Sequence, residues 1–216
     1  MRKYHKIQSV FKRDPETKFK TLIENDFSMP EFEYLADNKW VFTEKVDGTN
    51  IRFLWDGENF DIRGKTDNAD IPPMLKTSLV EIGSRLKLLF RDKFKKGSDE
   101  DTMNVCFYGE GYGNRIQSAG KLYNPKNTSF VLFDININGW WLERENVEEI
   151  ANEMRLDIVP IIGTGSLWDG IDMVRKGFNS KWGDFIAEGI VARPVIELRS
   201  RRGDRIITKI KHKDFL

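Results

Sequence analysis

The sequence is short of the residues that build covalent or metal frameworks. Of 216 residues one is cysteine, Cys106, and two are histidine. A single thiol excludes an internal disulfide, and no Cys/His cluster has the spacing of a zinc site, so a reducing compartment fits. No apolar run reaches the roughly 18 residues of a membrane span, and the basic start Met1-Arg2-Lys3-Tyr4-His5-Lys6 leads into no secretory segment. A soluble, cytoplasmic protein without a membrane partner is expected. Nor is there an excess of one charge, since Lys plus Arg number 35 and Asp plus Glu 34. Any nucleic-acid surface must therefore come from local clustering. Internal repeats, low-complexity tracts and Gly/Ser-rich or Pro-rich linkers are also missing, which argues for a single domain over residues 1–216.

What is present suffices for a core. Hydrophobic residues make up 39% of the chain, and charged residues 32%, above the roughly 25% of average chains. Residues 1–38 are mixed and charged, with turns at Asp14-Pro15 and Met29-Pro30, and read as an N-terminal extension packed on the main domain. From Trp40 the pattern predicts strands at Trp40-Val41-Phe42, at Ile51 to Trp55 and, after an Asp56-Gly57 turn, at Phe60 to Arg63. Leu75, Leu79, Ile82, Leu86, Leu89 and Phe94 recur at helical spacing after Pro72-Pro73, and Gly97-Ser98-Asp99-Glu100-Asp101 reads as the loop that ends this helix. A strand at Asn104 to Tyr108, a polar loop from Asn114 to Thr128 and a hairpin around Asn138-Gly139 follow. Val147, Ile150, Ala151 and Met154 predict a second helix, Ile158 to Ile162 a short strand, and Leu167, Ile171 and Val174 a third helix ending before Gly177. Two strands, Phe185 to Ala192 and Arg205 to Lys211, close the chain. Hairpins in sequence with helices interspersed argue an α+β fold of antiparallel sheets covered by helices.

The chemistry is concentrated around Thr43-Glu44-Lys45-Val46-Asp47-Gly48-Thr49-Asn50, where one lysine stands at a strand end before a glycine turn. A lysine attacks phosphorus only as the neutral amine, and an unperturbed pKa of about 10.4 leaves few neutral at pH 7. Burial, neighbouring lysines or a bound divalent ion would each favour the uncharged form. Alone, Lys-x-Asp-Gly reads first as a strand ending in a polar turn. Its weight comes from segments that follow it: Ile62-Arg63-Gly64-Lys65, Phe107-Tyr108-Gly109-Glu110-Gly111-Tyr112-Gly113, Phe130 to Ile135, Ala187-Glu188-Gly189-Ile190-Val191 and Thr208-Lys209-Ile210-Lys211. Each has a plain reading of its own: a hairpin arginine, a Gly-rich turn, core aromatics, an acidic strand start, an exposed basic strand. Lys209 and Lys211 share a strand face at i and i+2, whereas Phe130 and Phe133 lie on opposite faces, so only one of the two can meet a ligand while the other packs in the core.

In this order the segments resemble the motif series of the covalent nucleotidyltransferases, the superfamily of ATP-dependent polynucleotide ligases and mRNA capping enzymes. The nearest likeness is to phage-type RNA ligases of the RNA ligase 2 kind, in which Asn stands where Asn50 does; at the place of Asp47 those ligases carry His. The likeness runs from Lys45 to Lys211, about three quarters of the chain. It implies a nucleotidyltransferase (adenylation) domain of ATP-grasp-like antiparallel sheets flanked by helices, without an appended OB barrel. It also implies ATP as AMP donor with Mg2+ or Mn2+. In the implied roles Lys45 is the nucleophile, assisted by Lys209 and Lys211, and Glu188 is the metal ligand. Glu44, Asp47, Gly48, Asn50, Arg63, Glu110, Phe133, Lys209 and Lys211 bind the nucleotide, Glu110 at the ribose and Phe133 at the base.

The implied reaction seals 3′-hydroxyl and 5′-phosphate RNA ends through lysyl-AMP and an adenylated 5′ end. The ends are expected at a nick in duplex RNA or an RNA:DNA hybrid, and either this domain suffices to hold them or a partner protein supplies the clamp. Between Arg199 and Lys213 seven Lys or Arg face one acid, Asp204, so Arg199, Arg201, Arg202 and Arg205 are candidates for the nucleic-acid backbone; a solvated basic edge is the plain alternative. Rival functions are an ATP-dependent DNA ligase, a capping-type guanylyltransferase and a non-catalytic binder of nucleic-acid ends.

Overall fold

A computed structural model of the chain describes residues 3–94 and 103–216, so the loop expected at Gly97 to Asp101 lies outside the described residues. In chain order the first elements are β1 (Gln8–Ser9), β2 (Phe11–Arg13), β3 (Leu22–Phe27), α1 (Pro30–Tyr34), β4 (Trp40–Glu44), β5 (Thr49–Trp55) and β6 (Phe60–Arg63). Then come α2 (Pro73–Lys93), β7 (Val105–Gly113), α3 (Gly120–Tyr123), β8 (Thr128–Ile137), β9 (Trp140–Trp141) and α4 (Arg144–Glu153). The last are β10 (Ile161–Gly165), α5 (Leu167–Lys176), β11 (Gly189–Pro194), β12 (Thr208–Lys211) and a 3-10 turn, His212–Phe215. The chain divides into two compact units, Met1–Tyr4 with Asp47–Val159, and His5–Val46 with Pro160–Leu216.

The first unit carries an antiparallel sheet of order β6-β5-β7-β8-β9. Alternation along β5 sends Ile51, Phe53 and Trp55 into its core. Ile82 and Leu89 of the predicted α2 stripe are only half-buried; Leu75, Leu79, Leu86 and, outside the prediction, Phe90 are buried against the sheet, and Pro73 starts the helix where a missing N–H costs nothing. Each of the buried side chains contributes about 1.5–3 kcal/mol of burial. The Asp56-Gly57 turn closes the β5–β6 hairpin with the Asp56 carboxylate accepting from the backbone N–H of Glu58 and Asn59, at 3.0 and 2.7 Å. Asn138 and Gly139 both take positive φ, as a two-residue hairpin turn requires.

The second unit is built on a sheet of order β1-β12-β11-β4-β10, antiparallel except for the β1–β12 pair, together with the two-stranded β2–β3. Val10, Phe11, Phe27 and Phe32, all from before residue 39, share a core with Trp40, Phe42, Leu167, Ile171, Val174, Ile190 and Ile210. A capping box between Ser166 and Asp169 starts α5, and Gly177 ends it with φ 78°.

Several boundaries differ from the sequence expectation, each for a local reason. The strand predicted at Ile158 to Ile162 is split at Pro160, which has no N–H to pair: Ile158 bridges only Leu132, and β10 starts at Ile161. Pairing expected from Phe185 begins at Gly189, and that expected from Arg205 begins at Thr208, with Ile186 and Arg205 in isolated bridges to Asn179 and Arg199. The polar stretch from Asn114 to Thr128 contains the one-turn α3. Trp40 to Phe42, in β4, lies between β11 and β10.

Candidate active site

β4 ends at Glu44, and the backbone N–H of Lys45 donates to the carbonyl of Gly189 at 2.9 Å, so pairing with β11 continues to the lysine itself. Lys45 Nζ donates to Glu188 Oε2 at 2.6 Å, and Lys211 Nζ reaches Glu188 Oε1 at the same distance. One carboxylate thus bridges two ammonium groups, all three side chains being about four-fifths buried or more. Gly189 makes this approach possible. It sits opposite Lys211 with φ 149°, and a Cβ there would lie 2.0 Å from the carbonyl oxygen of Ile210. Lys209, two residues before Lys211 and without a carboxylate of its own, has its pKa lowered by burial first, then by the charges of Lys211, Lys45, Arg13 and Lys6. A cavity of about 350 Å³ beside it is lined by Arg13, Lys20, Lys209, Lys211 and Lys213, with Asp214 its one acid, held by Arg13 at 2.8 Å. The arrangement can bind a polyanion and present an amine to it.

Glu44 points elsewhere. Fully buried, it accepts from the Ser180 hydroxyl and, at 2.8 Å, from the backbone N–H of Lys181. Burial raises its pKa, partly offset by those two hydrogen bonds and the Lys181 charge. Its carboxylate therefore anchors the 180–181 turn within the sheet's own unit rather than pointing to a ligand.

The remaining candidates stand on the other unit. Gly48 passes so close to β7 that a Cβ would lie 2.3 Å from the carbonyl oxygen of Gly111 and 2.8 Å from Glu110 Cγ, which explains the glycine of the Lys-x-Asp-Gly stretch. The N–H of Asp47 donates to Tyr123 Oη at 3.3 Å. Asn50 is the cross-strand neighbour of Glu110, and its buried side-chain oxygen has no hydrogen-bond partner. The glycines flanking Glu110 give their space to the core. A Cβ on Gly109 would lie 2.2 Å from the Phe130 ring, and one on Gly111 2.6 Å from Leu75. Phe130 accordingly packs on Phe53, whereas Phe133 falls at a bulge between the Leu132–Gly109 and Asp134–Tyr108 pairs and stays half-buried, edge-on to Tyr4 at 5.0 Å. Arg63 is exposed, paired with Asp61 at 2.6 Å and donating to the Asp67 carbonyl.

Of the candidate nucleic-acid residues, Arg199, Arg201 and Arg202 are exposed. Arg205 is not: its guanidinium is buried and forked onto the carboxylate of Glu197, an internal pair that shapes the turn. Sequence reasoning passed over two buried polar residues. Arg52, fully buried on β5, donates to the Gly64 carbonyl at 2.9 Å and to Asp67 at 2.8 Å, which fixes the loop after Arg63. Asp134 is buried beside Phe133 and accepts from the Tyr4 hydroxyl. A charge inside an apolar strand run was the available signal for both. Among the described residues no three His, Cys, Asp or Glu side chains gather to hold a metal, and no helix is long and apolar enough to cross a membrane.

The fold, a mixed and sheet-rich α+β arrangement with few helices, is that of solved RNA ligases. A lysine-to-alanine variant of the Naegleria gruberi RNA ligase with ATP and Mn matches with a TM-score of 0.68 and 16% identity, over 98% of this chain and 56% of that one. The same ligase with pyrophosphate gives 0.64 and 16% over 97% and 57%, and a lysine-to-methionine variant with AMP and Mn gives 0.63 and 15% over the same shares. At such identity the likeness is one of fold, and the chain spans a little over half the length of these proteins. No curated protein sequence matches it. The sequence model of the RNA ligase family matches residues 38–211, and the chain belongs to that family.

Proposed function

We propose that the chain is an ATP-dependent RNA ligase whose nucleotidyltransferase (adenylation) chemistry runs through Lys45. The observation that carries this reading is the shared carboxylate: Glu188 holds Lys45 and Lys211 at 2.6 Å each, beside a cationic cavity that Lys209 lines. Lys45 Nζ, after losing a proton, attacks the α-phosphorus of ATP; a P–N bond forms, the bond to the β-phosphate oxygen breaks, and pyrophosphate leaves. Glu188 Oε2, already hydrogen-bonded to that amine, is placed to take the proton. Lys209 and Lys211 neutralise the phosphoryl oxygens, and the phosphate in turn favours the charge on Lys209 that burial and its cationic neighbours disfavour. A divalent ion, Mg2+ or Mn2+, would add Lewis-acid charge neutralisation at the phosphates, and Glu188 is the carboxylate that would hold it; one protein carboxylate with water and phosphate oxygens is a common ligand set for such an ion.

The buried, unpartnered oxygen of Asn50 fits a ribose hydroxyl donor, which supports a role beside Glu110 at the sugar. Phe133, turned out of the ladder by its bulge, is the base platform in this reading, and Arg63 a phosphate or ribose contact, with Asp47 and Gly48 lining the nucleotide. The AMP passes to a 5′-phosphate on RNA, and a 3′-hydroxyl displaces it to form the phosphodiester. Arg199, Arg201 and Arg202 contact the RNA backbone, and a nick in duplex RNA or an RNA:DNA hybrid is the end geometry that the resemblance implies.

Incubation with labelled ATP and Mg2+ tests the reading. AMP should become bound to the intact chain and be lost in Lys45→Ala, and Lys209→Ala should reduce labelling more than about tenfold without unfolding the protein. Labelling from GTP instead of ATP, or at a residue other than Lys45, would overturn it. A panel of nicked, hybrid and single-stranded ends then gives the substrate geometry.

A further inference from the structure

The cavity of about 1040 Å³ in the His5–Val46 and Pro160–Leu216 unit takes no part in the adenylation step, although two of its arginines were assigned above to the RNA backbone. Lys6, Arg201 and Arg202 line it, and its acids are Glu31 and Asp204. Pro30 and Glu31 also border a shallower cavity of about 410 Å³ lined by Tyr34, Leu198 and Arg199. Four exposed cations thus surround a continuous groove, and none of the four side chains is held in an ion pair among the described residues. At its far end the Tyr34 ring is 88% exposed beside the apolar Leu198 and Pro30, a flat π-surface with no structural duty. β1 follows Lys6 and lies parallel on β12 with Ser9 opposite Lys209, and Ser9 lines the cavity that holds Lys209 and Lys211.

We infer that this groove seats an unpaired stretch of RNA, with Tyr34 as a base-stacking platform and Lys6, Arg199, Arg201 and Arg202 on the phosphates. The proposal rests on the RNA ligase reading and adds to it an unpaired stretch of the substrate beyond the paired end. An exposed ring can stack only on a base whose face is free. In an A-form duplex the faces are covered, and a protein meets phosphates and 2′-hydroxyls instead. A cationic groove with an aromatic shelf is the common solution for single strands.

The test is fluorescence anisotropy of the whole chain with a 5′-phosphorylated single-stranded oligouridylate and with a blunt RNA duplex of equal length. The single strand should bind more tightly. Tyr34→Ala should weaken it about tenfold, Tyr34→Trp should restore it, and duplex binding should change less than about twofold. Replacing Arg201 and Arg202 together by Ala should lower the slope of log K against log salt for the single strand by about 1.4. A single-strand affinity indifferent to Tyr34→Ala, an equal loss on both RNAs, or a duplex preference in the unmodified chain would each overturn the groove. AMP labelling of the unmodified chain is measured in parallel. Its absence beside the expected binding pattern sinks the ligase reading and leaves the groove, while normal labelling with an indifferent Tyr34 sinks the groove alone.

Discussion

At Glu188 a single carboxylate holds two ammonium groups while Lys209 stands beside them without a carboxylate, a surplus of positive charge that disfavours the folded state and suits a polyanion. Lys209 carries the penalty most plainly. Its lowered pKa means that folding opposes its protonation, so the penalty is present below the folded pKa and relieved as pH rises toward the ordinary 10.5. Lys209→Met should therefore raise the melting temperature at pH 7 by about 1–2 °C while reducing AMP labelling, a trade of activity for stability that calorimetry and labelling on the same sample will reveal. Glu44 has the opposite sign of shift for an acid. Raised above 4.5, its ionisation costs stability, so its contribution falls as pH rises from 4.5 through the folded value. Glu44→Gln should flatten that part of the stability profile with the fold intact. Glu44→Ala should cost about 2–3 kcal/mol in urea unfolding, because the Ser180 hydroxyl and the Lys181 N–H lose their acceptor.

Elements bring these residues together through glycine contacts rather than through loops. Gly189 lets β11 lie against β12 where Glu188 meets Lys211, and its φ of 149° with Ile210 O 2.0 Å from a would-be Cβ leaves no room for alanine. Gly189→Ala should destabilise the chain by about 3 kcal/mol or more and reduce AMP labelling at least about tenfold, read by urea titration and by labelling of the folded fraction. On β7 the same device serves the core. Gly109 and Gly111 admit Phe130 and Leu75, and the β8 bulge leaves Phe133 at the half-buried surface beside them. A stretch that reads in sequence as a Gly-rich turn is, at its glycines, a packing site.

For the whole molecule, the divalent ion of the proposed reaction has a test of its own. No cluster of ligands among the described residues would hold a structural ion. Chelation should accordingly abolish AMP labelling, with recovery on adding Mg2+ or Mn2+, and leave the melting temperature within about 1 °C; a large drop on chelation would reveal a structural ion instead.

The order of motifs, much of the apolar stripe of α2, the end of α5 at Gly177 and the two hairpin turns were legible in the amino-acid sequence, because each depends on neighbours a few positions apart. So was the strand face shared by Lys209 and Lys211. Tertiary structure alone decided that Glu188 joins Lys45 to Lys211, that Glu44 turns to Ser180 and Arg205 to Glu197, and that Tyr4 reaches Asp134. Those pairings link strands and segments from 8 to more than 140 residues apart. Which partner a buried charge finds is set by sheet order and register, and no local periodicity encodes either.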